Sequence, residues 1–283
     1  MLALALIQMR VDGGEPEANL ERAAARIATA SAQGAEVVVL PEALDLGWTH
    51  PSAATSAQPI PDGRTARRLR DTARLNHVWV CSGLVERDGS SVFNSSILID
   101  PTGEVVLHHR KLNELEIGQS CYAGGDRLAV ATTPWGVVGM MICSDAFAPG
   151  QVIARTLGLL GAQIILSPCA WAVPADHDPV GEPYGQLWQD NYGPVARDFR
   201  LWIAGVSNVG PLTAGPWAGR RCIGCSLLVG PDGLPVLRGP YGGDADVILR
   251  ANVELEPRPA RGDGWVRWRE DQFRREMPRV GKA

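Results

Sequence analysis

The chain is poor in the features that mark several large classes of protein. Its 283 residues hold no apolar run near the length of a membrane span. The opening MLALALIQM offers only about seven apolar residues with no basic segment before them, too little for a secretory leader. The six cysteines (81, 121, 143, 169, 222 and 225) are scattered rather than framed as a disulfide scaffold, so a reducing, cytoplasmic setting is expected. A net charge of −4 and a pI near 5.8 provide no basic face for nucleic acid. No GxxxxGK or GxGxxG loop occurs, which speaks against a nucleotide-dependent synthetase or dehydrogenase. Cys222 and Cys225 make a single CxxC with no second pair or nearby histidine, and read as small residues on a strand. HExxH and EF-hand patterns are missing too, and Asp176-His177-Asp178 reads as loop composition, so no metal is expected. Asn94-Ser95-Ser96 reads as a turn where a strand begins. With no Pro/Gly/Ser linker and no internal repeat, residues 1–256 are expected to form one domain, followed by a charged tail over 257–283.

What is present is a recurring strand and helix order. LALALIQM is a short apolar run closed by turn residues and reads as a buried strand. Residues 15–35 then place Leu20, Ala24, Ile27 and Ala28 at helical spacing and stop at Gly34. EVVVLPEA, VWVCSGLV, SSILID and EVVLHHR supply further strands, with a helix over Thr65 to Arg74 and a Pro-Thr-Gly turn at 101–103. In the second half, GVVGMMIC, AQIILSPCA, LWIAGVSNVG and CSLLVGPDGLPVL read as strands, and EPYGQLWQDNYGPVARDFR as a long helix. The class is α/β, with 45% hydrophobic residues for a sizeable core.

Three polar residues fall where strands end: Glu42, Lys111 and Cys143. Taken singly, each has an ordinary reading. Glu42 begins a solvated loop, Lys111 belongs to the wet basic run His108-His109-Arg110-Lys111, and Cys143 packs in the core like a small hydrophobe. Taken together they suit one site, because α/β folds build their sites at strand ends. A thiol needs a base to remove its proton, an acyl-transfer intermediate needs positive charge at its oxyanion, and the lysine offsets the repulsion between carboxylate and thiolate.

LPEALDLGW, HRKLNELEIGQSCYAGGD and GMMICSDAF, in that order and spacing, resemble the nitrilase or carbon–nitrogen hydrolase superfamily. QIILSPCAW, ARDFRLWIAGVSNVG and GCSLLVGPDGLPV extend the resemblance over residues 2–253. It implies a four-layer α-β-β-α sandwich whose subunits pair into a homodimer or higher homo-oligomer. It also implies Cys143 as nucleophile, Glu42 as general base and Lys111 as stabiliser of the tetrahedral intermediate. A second glutamate usually follows the lysine; Glu114 and Glu116 both qualify, with Glu114 preferred because it lies directly in RKLNEL. No metal or organic cofactor is implied.

Cys143-Ser144-Asp145 differs from the Cys-Trp-Glu of true nitrilases, and Ala146, Phe147 and Ala148 stand where N-carbamoyl amino-acid hydrolases often carry arginine. The expected reaction is therefore hydrolysis of a small amide to an acid and ammonia, with nitrile hydrolysis, N-carbamoyl hydrolysis and a catalytically silent scaffold as alternatives. Arg197 or Arg220 remains a source of positive charge for a carboxylate-bearing substrate. Trp48, Ser144 and Trp171 are expected to contact substrate, with Trp188 nearby. Trp265, Trp268 and Phe273 are expected to anchor the tail on a neighbouring subunit.

Overall fold

The two halves of the chain build two sheets with the same internal plan. The structure is a computed structural model, describing residues 1–257 together with 267, 270 and 271. Strand β1 (Leu2–Gln8), helix α1 (Pro16–Ala32), strand β2 (Val37–Val39), helices α2 (Ala53–Ser56) and α3 (Arg64–Asn76), and strand β3 (Trp79–Asp88) open the first half. β1, β2 and β3 lie side by side and parallel, then β4 (Ser91–Ile99) and β5 (Val105–Arg110) continue the sheet antiparallel.

The second half begins with β6 (Val130–Thr133), β7 (Gly136–Met140), helix α4 (Val152–Leu159), β8 (Ile164–Cys169), the short β9 (Ala172–Val173) and helix α5 (Gln186–Phe199). β10 (Trp202–Ser207), β11 (Val209–Pro211), β12 (Arg221–Ile223), β13 (Leu227–Val229) and β14 (Pro235–Arg238) follow. Here β7, β8 and β10 are the parallel trio, flanked by antiparallel β6 on one side and β13 and β14 on the other. Strand β15 (Val247–Val253) returns to pair antiparallel with β1, so the first sheet runs β15-β1-β2-β3-β4-β5. A small third sheet joins β11, β12 and β9.

Period-two alternation sorts each strand between two cores. Leu4, Leu6, Val39, Leu98 and Leu107 of the first sheet meet Val138, Met140, Ile164, Leu166 and Val206 of the second in the inner core. Ile7, Val38, Val80 and Ile97 face outward under α1 and α3, packing against Leu20, Ile27 and Leu69. Ile165 and Ile203 face outward on the other sheet, under Leu157 of α4 and Val195 and Phe199 of α5. The result is the four-layer α-β-β-α sandwich. Each fully buried aliphatic side chain here contributes about 1.5–3 kcal/mol against exposure.

Several expectations need correction. The buried stripe of α1 is Leu20, Ala23, Ile27 and Ala30; Ala28 is exposed and Ala24 half-buried, because the face set by Leu20 and Ile27 continues through the positions three and four residues on. Asn94 is no turn residue: it lies within β4, wholly buried. The run 108–111 is not one wet face, since His109 and Lys111 are buried while His108 is exposed and Arg110 half-buried on the opposite side. Cys222 lies on β12, but Gly224 and Cys225 adopt left-handed backbone (φ 68° and 58°) and carry the chain off the strand. Trp265, Trp268 and Phe273 lie outside the described residues. Among the described residues no helix is long and apolar enough to cross a membrane.

Candidate active site

Glu42 follows β2 through Leu40 and Pro41, Lys111 directly follows β5, and Cys143 follows β7 through Met141 and Ile142. All three therefore sit at strand ends on one edge of the paired sheets. The Glu42 backbone N–H donates to the carbonyl of Cys169, at the end of β8, over 3.2 Å and so stitches the two sheets together there. Gly83 of β3 permits this turn to lie close, because a Cβ at that position would stand 2.5 Å from the Glu42 Cα. Ala43 and Cys143 both hold left-handed backbone, with φ of 45° and 43°. Such conformations cost about 1–3 kcal/mol each and persist only where the surroundings fix them.

The side chains close into a ring. Lys111 Nζ donates to Glu42 Oε1 (2.8 Å) and to Glu114 Oε1 (3.0 Å). Asn94 Nδ2 donates to the same Glu42 oxygen (2.6 Å) and to Glu114 Oε2 (3.0 Å). Glu114 Oε1 also accepts the backbone N–H of Leu115 (2.9 Å), and Gly118 leaves room for its carboxylate, which a Cβ there would meet at 2.8 Å. Glu116 is exposed at the start of the next turn, so of the two candidate glutamates only Glu114 reaches the lysine. Among the described residues, Glu42 Oε2 is buried with no hydrogen-bond partner.

Electrostatics follow from this packing. Burial pushes the Glu42 carboxyl above its usual range, further than Lys111 and Asn94 pull it down. Burial works against the Lys111 ammonium, but Glu42 and Glu114 more than offset it and hold its pKa above the ordinary lysine value. Burial also pushes the Cys143 thiol well above its usual range, reinforced by the neighbouring Cys169 thiol and by Glu42. Such a setting favours the protonated thiol, which would need a base to remove its proton before it could act as a nucleophile.

Asp145 locks the turn that carries Cys143. Its carboxylate accepts the backbone N–H groups of Ile142 (2.8 Å), Leu112 (3.0 Å) and Asn113 (2.8 Å) and bonds His109 Nε2 (2.8 Å). Burial alone would raise its pKa, yet His109 and these N–H groups hold it below the usual value. The loop after Lys111 is thereby fastened to the cysteine turn.

Of the three expected substrate contacts, Ser144 is wholly buried and its hydroxyl donates to the Asn113 carbonyl over 2.6 Å, which gives it a bracing contact in the structure. Trp48 stands over the lysine, with Lys111 Nζ 5.7 Å from its ring centroid, and packs edge-on against Trp217 at 5.1 Å. Trp171 shares a buried cluster with Cys143 and stacks on Trp188 at 4.3 Å, with Tyr184 and Phe147 completing the aromatic wall. Among the described residues, the indole N–H groups of Trp48 and Trp171 are buried without partners. Arg197 is exposed and approaches Asp198 at 3.7 Å, whereas Arg220 stacks on Trp217 at 4.2 Å. Neither belongs to the ring around Lys111.

Sequence reasoning overlooked Asn94, His109, Asp145 and Cys169. A signal existed for two of them: Leu107, His109 and Lys111 share one side of β5 by alternation, as do Leu98, Ser96 and Asn94 on β4. For Asp145 and Cys169 no local pattern distinguishes the role.

The family model for carbon–nitrogen hydrolases matches residues 3–255. A nitrilase from Pyrococcus abyssi is 33% identical over 235 residues, covering 82% of each chain. An omega-amidase from Bos taurus is 31% identical over 268 residues, covering 89% of this chain and 88% of the relative. A cysteine-to-serine variant of an amidase from Nesterenkonia AN1, of the nitrilase superfamily, superposes with a TM-score of 0.76 over 97% of this chain and 96% of its own. At 20% identity that last likeness is one of fold.

Proposed function

The chain belongs to the carbon–nitrogen hydrolase family, and from that premise we propose that it hydrolyses a small non-peptide amide to a carboxylic acid and ammonia through a thioester on Cys143. The observation that carries this reading is the free oxygen of Glu42, held in the Glu42, Lys111, Asn94 and Glu114 ring within electrostatic reach of the Cys143 thiol. In this proposal Glu42 Oε2 takes the thiol proton as sulfur attacks the substrate carbonyl carbon. The Lys111 ammonium, fixed by two carboxylates, supplies positive charge for the oxyanion. Glu42 then passes the proton to the departing ammonia; water deprotonated by the same oxygen attacks the thioester carbonyl, and the acid is released as Glu42 returns that proton to the leaving Cys143 sulfur.

Intact-protein mass spectrometry of wild type and Cys143→Ala, acid-quenched after brief exposure to simple amides, carbamoyl compounds and nitriles, tests the proposal. An acyl-sized adduct confined to the wild type, with ammonia released, is the expected result; hydrolysis by the alanine variant would overturn it. The nitrilase relative keeps nitriles in the panel. Turnover of nitriles but not of amides would replace the amide reading with that one. We also propose a homo-oligomer, supported by the exposed apolar Val152, Leu159 and Leu187 on α4 and α5; a monomer mass by light scattering would refute it.

A further inference from the structure

We propose that Asn94 is a positioning residue of this site: its side-chain amide holds Glu42 and Glu114 side by side and leaves Glu42 Oε2 as the proton acceptor. The inference rests on reading Glu42 as the base. Two carboxylates bracket a single ammonium, so the buried cluster carries an excess negative charge whose repulsion favours protonating one of them. Lys111 reaches one oxygen of each carboxylate. Asn94 reaches both with two N–H groups on one nitrogen, at 2.6 Å and 3.0 Å.

With the amide reaching two of them, three of the four carboxylate oxygens have donors. Glu114 Oε1 accepts from Lys111 and Leu115, Glu114 Oε2 from Asn94, and Glu42 Oε1 from both Lys111 and Asn94. Among the described residues, Glu42 Oε2 is the oxygen of the pair left without a donor. Two donors converging on Oε1 fix the carboxylate's rotation, so the identity of the free oxygen is set by Asn94 as much as by the lysine. The chemistry also fixes how the amide is turned, because its oxygen would repel both carboxylates; Asn94 Oδ1 is accordingly the buried atom without a partner among the described residues. The backbone contributes as well, since the Asn94 carbonyl accepts the Lys111 N–H over 2.8 Å, and one residue of β4 thereby aligns the lysine and both glutamates.

A neutral donor suits this position better than either charge. A carboxylate would add a third negative group, and a cation would weaken Glu42 as a base. The titratable groups around Glu42 are Lys111, Glu114, Tyr122, Cys143 and Cys222, and of these Glu114 is the one that shares the Asn94 side-chain amide with Glu42.

The test compares wild type with Asn94→Ala, Asn94→Asp and Glu42→Gln in three measurements against pH. These are kcat and KM for propionamide, the rate of Cys143 alkylation by iodoacetamide followed by peptide mass, and the melting temperature. Asn94→Ala should lose about 10-fold to 100-fold in kcat with KM little changed, and its acid limb should move up by about one pH unit in turnover and in alkylation alike. Asn94→Asp should lose more. A lowered melting temperature with the acid limbs unmoved would assign Asn94 a purely structural part and overturn the inference. Should the alanine variant not fold, Asn94→Ser, which retains one donor, gives the same reading with a smaller displacement. If Glu42→Gln alkylates with the wild-type pH profile, the base assignment itself fails, an outcome that differs from failure at Asn94 alone.

Discussion

Arg110 and Lys111 are neighbours in sequence and serve opposite ends. Lys111 turns to the inner side of the first sheet and meets Glu42; Arg110 turns to the other side and meets Glu86. Both glutamates are 1% exposed. Glu86 is saturated: its oxygens accept from Arg110 (2.6 and 3.0 Å), Ser95 (2.5 Å) and His108 (2.9 Å). Burial pushes its pKa up, yet the bonds from His108, Arg110 and Ser95 overcome that and hold it at about 2. Glu42 has donors on one oxygen only, and burial wins. A fully bonded buried carboxylate is a brace, and an incompletely bonded one is a base in waiting; the difference lies in the donor count.

Breaking the proposed catalytic side of this comparison should have the largest effect. Glu42→Gln should cut amide turnover about 1,000-fold or more while leaving the melting temperature within a few degrees of wild type. Since the proposed base must be ionised to act and burial raises the Glu42 pKa, wild-type turnover should fall as pH drops through that raised value, and a pH–rate profile checks this. Breaking the other side should do the reverse. Glu86→Gln leaves Arg110 and His108 without their buried partner and should cost about 3 kcal/mol in urea melts, with kcat per folded molecule unchanged.

The pH dependence of stability sharpens the contrast. The folded pKa of Glu86 is depressed, so its contribution is present above the ordinary glutamate value and is lost as pH falls toward about 2; melts of wild type and Glu86→Gln should converge over that range. Asp45 carries the opposite sign. Burial holds its carboxyl up at about 7, with the Val85 N–H at 3.0 Å as one of few donors pulling it down. Its contribution is therefore present below the ordinary aspartate value and lost as pH rises through about 7. Asp45→Asn should flatten the stability curve across that interval, removing a pH-dependent contribution on the order of 4 kcal/mol.

Much of this was legible in the sequence, in its local patterns. The parallel trios follow from strands alternating with helices, and the three polar residues stand visibly at strand ends in LPEA, HHRK and MICSD. Alternation along Leu107 to Lys111 even separates the two networks once one knows which side is buried. Asn94 was misread because a polar Asn-Ser-Ser triplet resembles a turn when its partners are out of view. Asp145 hid for the same reason, as a carboxylate beside a cysteine gives no hint that His109 and three backbone N–H groups will surround it.

The sequence by itself determined the α/β class, the residue types available at the strand ends and the alternation that sends neighbouring side chains to opposite faces, because each depends on backbone geometry over a few residues. Only the tertiary structure decided which carboxylate each cation meets and which oxygen is left free. Glu42 lies 69 residues from Lys111 and 52 from Asn94, and its protonation depends on how tightly the closing sheets exclude water and how many donors they bring to it.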